Sequence, residues 1–485
     1  MDNSVERFID LAIALTSETE LDRIFDRILI EAMRLTNCDA GTVYVKKEDA
    51  LYFESLYTNS KGVHMSVLSE DVSLPPVPLD NHHVCACSAL EKRLINIPDI
   101  YDCEGYDFSG AKKYDKINDY RTQSMLVLPM IDDTDSVIGV LQLINAMDSE
   151  TGQVIPFSKD FEKSIFGLTS LASVCLHNRM LADQIREILH SFVRVMVGAI
   201  EKSSSYNANH TKSMVKYGRK LLTYMSGMDD DHATLVPEEE WDAFLMSIWL
   251  HDIGKILIPH SVMDKPSRLG DKTQDVMYRI DMACMAERLA AYEAGNPDDP
   301  DAGNRISDLQ EAREFINSIN GGMVLSDDMI AHVHEIAKLP CRKADGSTEP
   351  LLSEDEENML AIRSGTLTVE ERNMMQRHVE YTASMLAEMS FRGEYAGVPE
   401  WASSHHELLD GSGYPRHIAG DEIPPETRLL TILDVYDALT GEDRPYKPPL
   451  SPEKAFEILG RMADEGKVDR DLLDVFIKSN AWKKG

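Results

Sequence analysis

At 485 residues, with 43% hydrophobic and 27% charged residues, the chain has material for two or three domains with full apolar cores. Its formal charge of −34, from 49 Lys and Arg against 83 Asp and Glu, repels polyanions and argues against binding to nucleic acid polymers. No apolar run approaches the ~18 residues of a membrane span, and the acidic start MDNSVERFIDLAI lacks the basic stretch and apolar core of a signal peptide, which predicts a cytoplasmic protein.

Along the chain, the apolar residues from Val5 to Leu35 recur at helical spacing, and Thr42–Tyr57 then alternates like a strand pair. Cys85 and Cys87 are the only close pair among seven scattered cysteines. An odd number of cysteines fits reduced thiols, and one C-x-C without a second pair reads as strand packing. Ser124–Asn145 reads as two apolar strands joined by the acidic turn Asp132–Asp135, and Phe161–Arg179 is helical again. Residues 1 to about 175 therefore predict one α+β domain with an antiparallel sheet. Leu181, Ile185, Ile188, Phe192, Val195 and Ala199 then follow the heptad rhythm of a two-helix seam. A connecting helix over 176–205 that pairs as a parallel homodimer stalk is the expectation.

After Asn207 the pattern is helical: Trp241–Ile253, Glu370–Met389, Pro425–Leu439 and Pro452–Ala463 are amphipathic or wholly apolar. The second domain, 206–485, is thus predicted to be all-α. From about 271 to 366 it is interrupted by two helical stretches, Gln274–Ala294 and Arg305–Ile319, around the turn Asn296–Asn304. These predict a helical hairpin insertion that serves as a solvated or dimer-contacting arm, since no reactive constellation falls in it.

The chemistry concentrates in three places. The apolar helix Trp241–Leu250 runs straight into His251 and Asp252, groups too costly to bury without partners. Asp434 and Asp437 pose the same problem within TRLLTILDVYDALT, and a cation is the simplest way to neutralise them. His405 and His406 sit beside a Gly-rich turn, and mixed His/Asp sets suit iron, manganese, zinc or nickel over calcium.

Taken in order, HDIGKILIP (His251–Pro259), HHELLDGSGYP (His405–Pro415) and DVYDAL…RPYK (Asp434–Lys447) resemble the HD-GYP family of cyclic dinucleotide phosphodiesterases. The resemblance supplies two more histidines, His210 in NANHTKSMVKYG and His378 in MMQRHVEYTASML. It implies a metal set of His210, His251, Asp252, His378, His405, His406 and Asp434, with Asp252 bridging two divalent ions, iron or manganese. Some members hold a third metal through a Glu four residues before the first histidine; Tyr206 stands there, which implies two. Asp252 and Lys255 take the catalytic roles, Lys255 also contacting the substrate phosphate. Gly413, Tyr414, Pro415, Arg444 and Lys447 complete the implied substrate site. The implied reaction is hydrolysis of cyclic di-GMP to pGpG and on to GMP. Cyclic GMP-AMP as substrate, and a non-enzymatic receptor or interaction module, remain the alternatives.

In the first half, LINIPDIYD (Leu94–Asp102), KYDKINDYRTQSMLVLP (Lys113–Pro129) and VIGVLQLINA (Val137–Ala146) resemble a GAF domain, in wording close to those that bind cyclic nucleotides. Of that group's N-K…F-x-x-x-D-E signature, Asn145, Phe157 and Glu162 are present, while Ala146 and Phe161 replace the Lys and Asp. A small-molecule sensor holding a cyclic nucleotide and a purely dimerising domain both stay open. The combined expectation is an α+β GAF domain (1–175) joined by a long helix (176–205) to an all-α HD-GYP domain (206–485).

Overall fold

The computed structural model describes residues 21–66, 74–203, 209–229, 232, 235–343, 345–441 and 449–483, and the chain separates into two units at Ile188/Leu189. The part of the first predicted helix before Leu21 lies outside the described residues.

In the first unit, α1 (Leu21–Thr36) buries Ile24, Phe25, Ile28, Leu29 and Ala32 as one helical stripe. It leads into β1 (Cys38–Lys47), β2 (Ala50–Thr58), β3 (Val63–Ser66) and β4 (Val77–Pro78). Next come α2 (Val84–Glu91), β5 (Ile95–Ile97), α3 (Ser109–Asn118), β6 (Met125–Ile131), β7 (Val137–Met147) and β8 (Val154–Ile155). The sheet runs β3-β2-β1-β7-β6-β5, with β4 on β2 and β8 on β7, and every pairing is antiparallel. Successive side chains feed two cores: Val43, Val45, Leu126, Leu128, Leu141 and Leu143 meet α1 on one face, whereas Tyr44, Val127 and Val140 meet α2 on the other. Cover on both faces is why these strands read as apolar runs rather than clean alternations. The acidic turn forms as predicted, with Asp132 accepting from the backbone amides of Thr134 and Ser136 at 2.9 and 2.8 Å.

Cys85 and Cys87 correct one expectation. They lie on the helix α2, which is buried from Val84 to Ala89, so no polar stripe marks its 3.6-residue period in the sequence. All seven cysteines are unpaired thiols. The GAF signature residues present are structural braces: Asn96 donates through Nδ2 to the Phe157 carbonyl and to Glu162 Oε1, at 2.9 and 2.7 Å. Asn145, at φ +57°, accepts from the Gln123 amide at 2.7 Å and donates to Tyr120 and the Arg121 carbonyl.

The helix α4 (Lys159–Ser203) is 45 residues long. Its first part packs Ile165, Leu168, Ala172 and Leu176 into the first unit's core, and its last part gives Val193 and Val197 to the second's. The heptad positions Leu181, Ile185, Ile188, Phe192 and Val195 are 42–71% exposed.

The second unit continues with α5 (His210–Met225), α6 (Trp241–Leu250) and α7 (His260–Met263). An inserted module follows: α8 (Thr273–Glu293), α9 (Pro300–Ile319), α10 (Asp327–Ile336), β9 (Pro340–Arg342), β10 (Thr348–Pro350) and α11 (Glu354–Leu360). The chain then returns through α12 (Val369–Gln376), α13 (His378–Ala387), α14 (Val398–Ser403), α15 (Pro425–Thr440), α16 (Pro452–Asp464) and α17 (Arg470–Ser479). The main core gathers Phe244, Ile248, Leu386, Trp401, Leu430, Leu433, Tyr436 and Phe476 around α15, which is buried along nearly its whole length.

Three helical expectations shift. Helix α6 stops at Leu250, and Ile253–Leu257 forms a tight 3-10 turn instead. The stretch 370–389 breaks at Arg377, where the Met375 carbonyl is taken by the His378 ring at 2.7 Å. The insertion is more than a helical hairpin. It adds α10, α11 and a two-stranded ladder, and packs Val276, Ile280, Leu309, Ile316, Leu351 and Leu360 into a core of its own. Its neck is closed by Lys265, whose Nζ lies 2.8 and 2.7 Å from the two Glu371 carboxylate oxygens. Beside it the fully buried Arg268 spends its donors on the carbonyls of Ile362, Ile319, Gly321 and Met323, as a buried guanidinium without a carboxylate must.

Candidate metal and catalytic site

Because α6 is apolar on all sides, it burrows through the core and delivers its C-terminal pair, His251 and Asp252, into the interior. The His251 Nδ1 lies 2.7 Å from the Ile248 carbonyl. A carbonyl only accepts, so Nδ1 carries the proton and Nε2 is left with a lone pair. His378 and His405 repeat the device on the Met375 and Ala402 carbonyls, each at 2.7 Å. All three Nε2 atoms are buried without a partner, and so is Asp252 Oδ1. Each such group costs about 1–3 kcal/mol when left unsatisfied. Three bare lone pairs and a carboxylate oxygen together are the donor set of a cation.

The carboxylates hold the centre of the cluster. Asp252 Oδ1 is 3.3 Å from His378 Nε2 and 3.9 Å from His405 Nε2, whereas Oδ2 is 3.2 Å from His251 Nε2. Asp434 Oδ1 lies 3.2 Å from His210 Nε2, and its Oδ2 is 3.9 Å from His406 Nδ1. Two groups of donors result, His210–His251–Asp252 and His378–His405–His406, with the two Asp252 oxygens facing one each. All seven side chains of the expected metal set thus come together, from α5, the α6 terminus, α13, the loop after α14, and α15. Lys255 joins them, its Nζ 2.5 Å from Asp252 Oδ2.

Charge compensates charge here. Burial works against an ionised Asp252, but the charged groups around it, the Lys255 ammonium among them, hold it well below the usual carboxylate range. Burial likewise opposes charge on Asp434, and the His210 contact overrides it. At His210, burial favours the neutral ring, yet Asp434 and Asp437 push it up to about 10. Burial also keeps His405 neutral and brings His406 down to about 4. Ionised carboxylates and neutral imidazoles are the ligand forms a divalent cation requires, and it would displace the His210 proton on binding. The residues present fit such a group.

Around this centre the turn at Gly413 is pressed against backbone. A Cβ there would come within 2.4 Å of the Leu408 nitrogen and 2.5 Å of the His406 oxygen. Tyr414 lies against His406 with ring centroids 4.8 Å apart and planes tilted by 32°, and its cis bond to Pro415 sits beside Glu407, which accepts from the Arg416 amide at 2.6 Å. Arg444, Lys447 and Tyr206 lie outside the described residues.

Sequence reasoning flagged Asp437 but gave it no role of its own. Its Oδ2 lies 2.7 Å from His210 Nδ1, so it orients the ring that faces Asp434, as a carboxylate behind a ligating imidazole does. Asp437→Ala is expected to weaken Mn²⁺ binding by about 10- to 100-fold in a chelator competition titration, while Asp437→Asn, which keeps an acceptor, stays nearer the parent value. The other missed partners are main-chain carbonyls, which no residue identity betrays.

Comparison with known proteins places two families on the chain: the GAF domain over residues 20–176 and the HD domain over residues 356–472. The HD match includes His378, His405, His406 and Asp434. Among curated relatives, a 3′3′-cGAMP-specific phosphodiesterase 3 of Vibrio cholerae is 38% identical over 21% of this chain. A 3′3′-cGAMP-specific phosphodiesterase 2 of the same organism is 43% identical over 22%. The cyclic di-GMP phosphodiesterase response regulator of Xanthomonas campestris is 38% identical over 22%. The chain spans 21%, 19% and 29% of the lengths of these relatives.

Proposed function

We propose that this chain, which joins a GAF domain to an HD domain, is a metal-dependent phosphodiesterase that opens cyclic di-GMP to pGpG and carries it on to GMP, under control of the GAF half. The observation that carries this reading is the convergence of three buried, unpartnered imidazole nitrogens on Asp252, with Asp434 behind them.

His210, His251, Asp252, His378, His405, His406 and Asp434 would hold two divalent ions, iron or manganese, with Asp252 between them. When bound, such ions clamp phosphate oxygens and make water acidic enough to attack phosphorus at neutral pH. In an in-line displacement one P–O bond forms to water while the bond to the 3′-oxygen breaks, and that oxygen needs a proton. Lys255 is the ammonium at hand: its Nζ is held by Asp252, which fixes its place within reach of a leaving oxygen that takes up a proton. The Tyr414 ring on His406 and the tight turn at Gly413 shape the rim over the substrate. Against a chain carrying −34 charges, the cations and Lys255 supply the local positive field that an anionic dinucleotide requires. The exposed heptad stripe on α4 supports a homodimer paired through that helix.

A second substrate has a specific observation in its favour, since two of the relatives named above are cGAMP-specific. The test is hydrolysis of both dinucleotides by the full chain purified without oxygen and supplied with Mn²⁺ or Fe²⁺, products resolved by chromatography. Metal-dependent ring opening of cyclic di-GMP is the expected result. A faster turnover of 3′3′-cGAMP would move the substrate assignment, and turnover of neither by metal-loaded protein would leave a receptor instead of an enzyme.

A further inference from the structure

Helix α8 of the inserted module is apolar on two sides. One side, Val276, Met277, Ile280, Ala283 and Ala291, is buried in the module's own core. The other carries Tyr278, Met282, Met285, Leu289 and Tyr292, which are 54–71% exposed. A helix that is apolar all round normally has cover all round, and the exposed five repeat at intervals of four and three residues, the d-a-d-a-d positions of a heptad. They form a stripe of roughly 21 Å at 1.5 Å per residue.

The charges along the stripe say what covers it. Arg279 is bound to Glu356 and the Leu351 carbonyl, and Asp281 to Arg313, so both are spent inside the module. Arg288 and Glu293 are exposed, and among the described residues neither has a salt-bridge or hydrogen-bonding partner. They are opposite in sign, they occupy g and e positions, and they are five residues apart. That is the spacing at which a parallel, in-register copy of the same helix sets g of one strand against e of the other, on both sides of the twofold. An antiparallel copy would instead aim Arg288 at Asp281, which is already taken.

We propose that the inserted module is a self-association element, pairing α8 in parallel with α8 of a second copy of this chain through Tyr278, Met282, Met285, Leu289 and Tyr292, with Arg288 of each copy against Glu293 of the other. This goes beyond the hydrolase reading and does not depend on it. With roughly 100–150 Å² uncovered per large side chain, five give on the order of 600 Å² per copy, and the pair about 1,200 Å², the lower edge of specific interfaces.

The test is disulfide trapping in the full chain. In a Cys284→Ser background, which removes the neighbouring thiol, Met285→Cys lies at a d position that meets its own twin across the axis. Under mild oxidation it is expected to give about tenfold more covalent dimer than Glu314→Cys, an exposed position on α9, because only facing d residues reach disulfide distance. Adding Arg288→Glu is expected to lower the Met285→Cys yield about fivefold by setting like charges together, and adding Glu293→Arg as well to restore it. Far-UV circular dichroism of each variant shows that it is folded. A Met285→Cys yield no higher than that of Glu314→Cys, or a charge reversal that the second reversal does not rescue, overturns the proposal.

Discussion

On the proposed two-metal phosphodiesterase reading, Asp252→Asn is expected to lower cyclic dinucleotide turnover by about a thousand-fold, roughly 4 kcal/mol of transition-state stabilisation, and to cut the bound metal from the proposed two ions per chain to one or none. The size follows from how many jobs this carboxylate holds. Its Oδ1 faces His378 and His405, its Oδ2 faces His251, and the same Oδ2 steadies Lys255 at 2.5 Å. An amide keeps the volume but loses the charge and one of the two acceptor oxygens, so at least one donor group is incomplete and the lysine loses its counter-ion. Metal analysis by mass spectrometry, beside turnover, separates this from a simple folding defect. The metal-free variant should melt below the metal-free parent, because Lys255 is left without its counter-ion, while its far-UV circular dichroism stays that of a folded chain. Retention of two metals with unchanged turnover would refute the bridging role.

The second large effect is expected where no functional atom is touched. Gly254→Ala would drive its Cβ to 2.0 Å from the His378 carbonyl oxygen and 2.5 Å from the Thr382 nitrogen, both main-chain atoms of α13 that cannot swing aside. The Gly254 amide also donates to Thr382 Oγ1 at 3.0 Å, and that hydroxyl donates to the His251 carbonyl at 3.0 Å. The glycine is thus the contact through which the turn after α6 is seated on α13. Overpacking of this kind costs about 3 kcal/mol, read as a lowered urea midpoint. Because the forced movement parts Asp252 from His378, metal affinity should fall with it. Thr382→Val, which removes the hydroxyl without adding bulk, should weaken the same seam by only about 1 kcal/mol. Equal stability of Gly254→Ala and the parent would mean that the turn relaxes freely and that the seam does not position the site.

Much of this was legible in the sequence because the physics there is local. The GAF sheet shows itself through strand-length apolar runs and the acidic turn at Asp132, and the metal cluster through histidines and aspartates placed where only core residues belong. The pair Asp434 and Asp437 marks the limit of such reading. Both are buried carboxylates on one helix, yet one faces the cluster and the other the back of His210, a distinction set by three-dimensional placement alone. The break at Arg377 is hidden for a related reason, since the His378 ring competes for a backbone carbonyl in a segment with helical composition throughout. Helix α2 escaped because it is buried on every side and has no polar stripe. The second core of the insertion escaped because its β9–β10 ladder is two three-residue strands, below the length at which alternation speaks. Arg444 and Lys447, read from motif wording, stand where the sequence left them.

The neck of the insertion bears on how the chain finds its fold. Gly254 and Thr382 meet across 128 residues of sequence, yet Lys265 and Glu371, 106 residues apart, already meet inside that span. Once the inserted module has closed on its own core, the loop still to be shut between the two halves of the metal centre is only about 20 residues long, a saving of about 1.5 kcal/mol in chain entropy. The module that lengthens the path from Asp252 to His378 on paper therefore leaves only a short loop to close wherever the Lys265–Glu371 neck is already made.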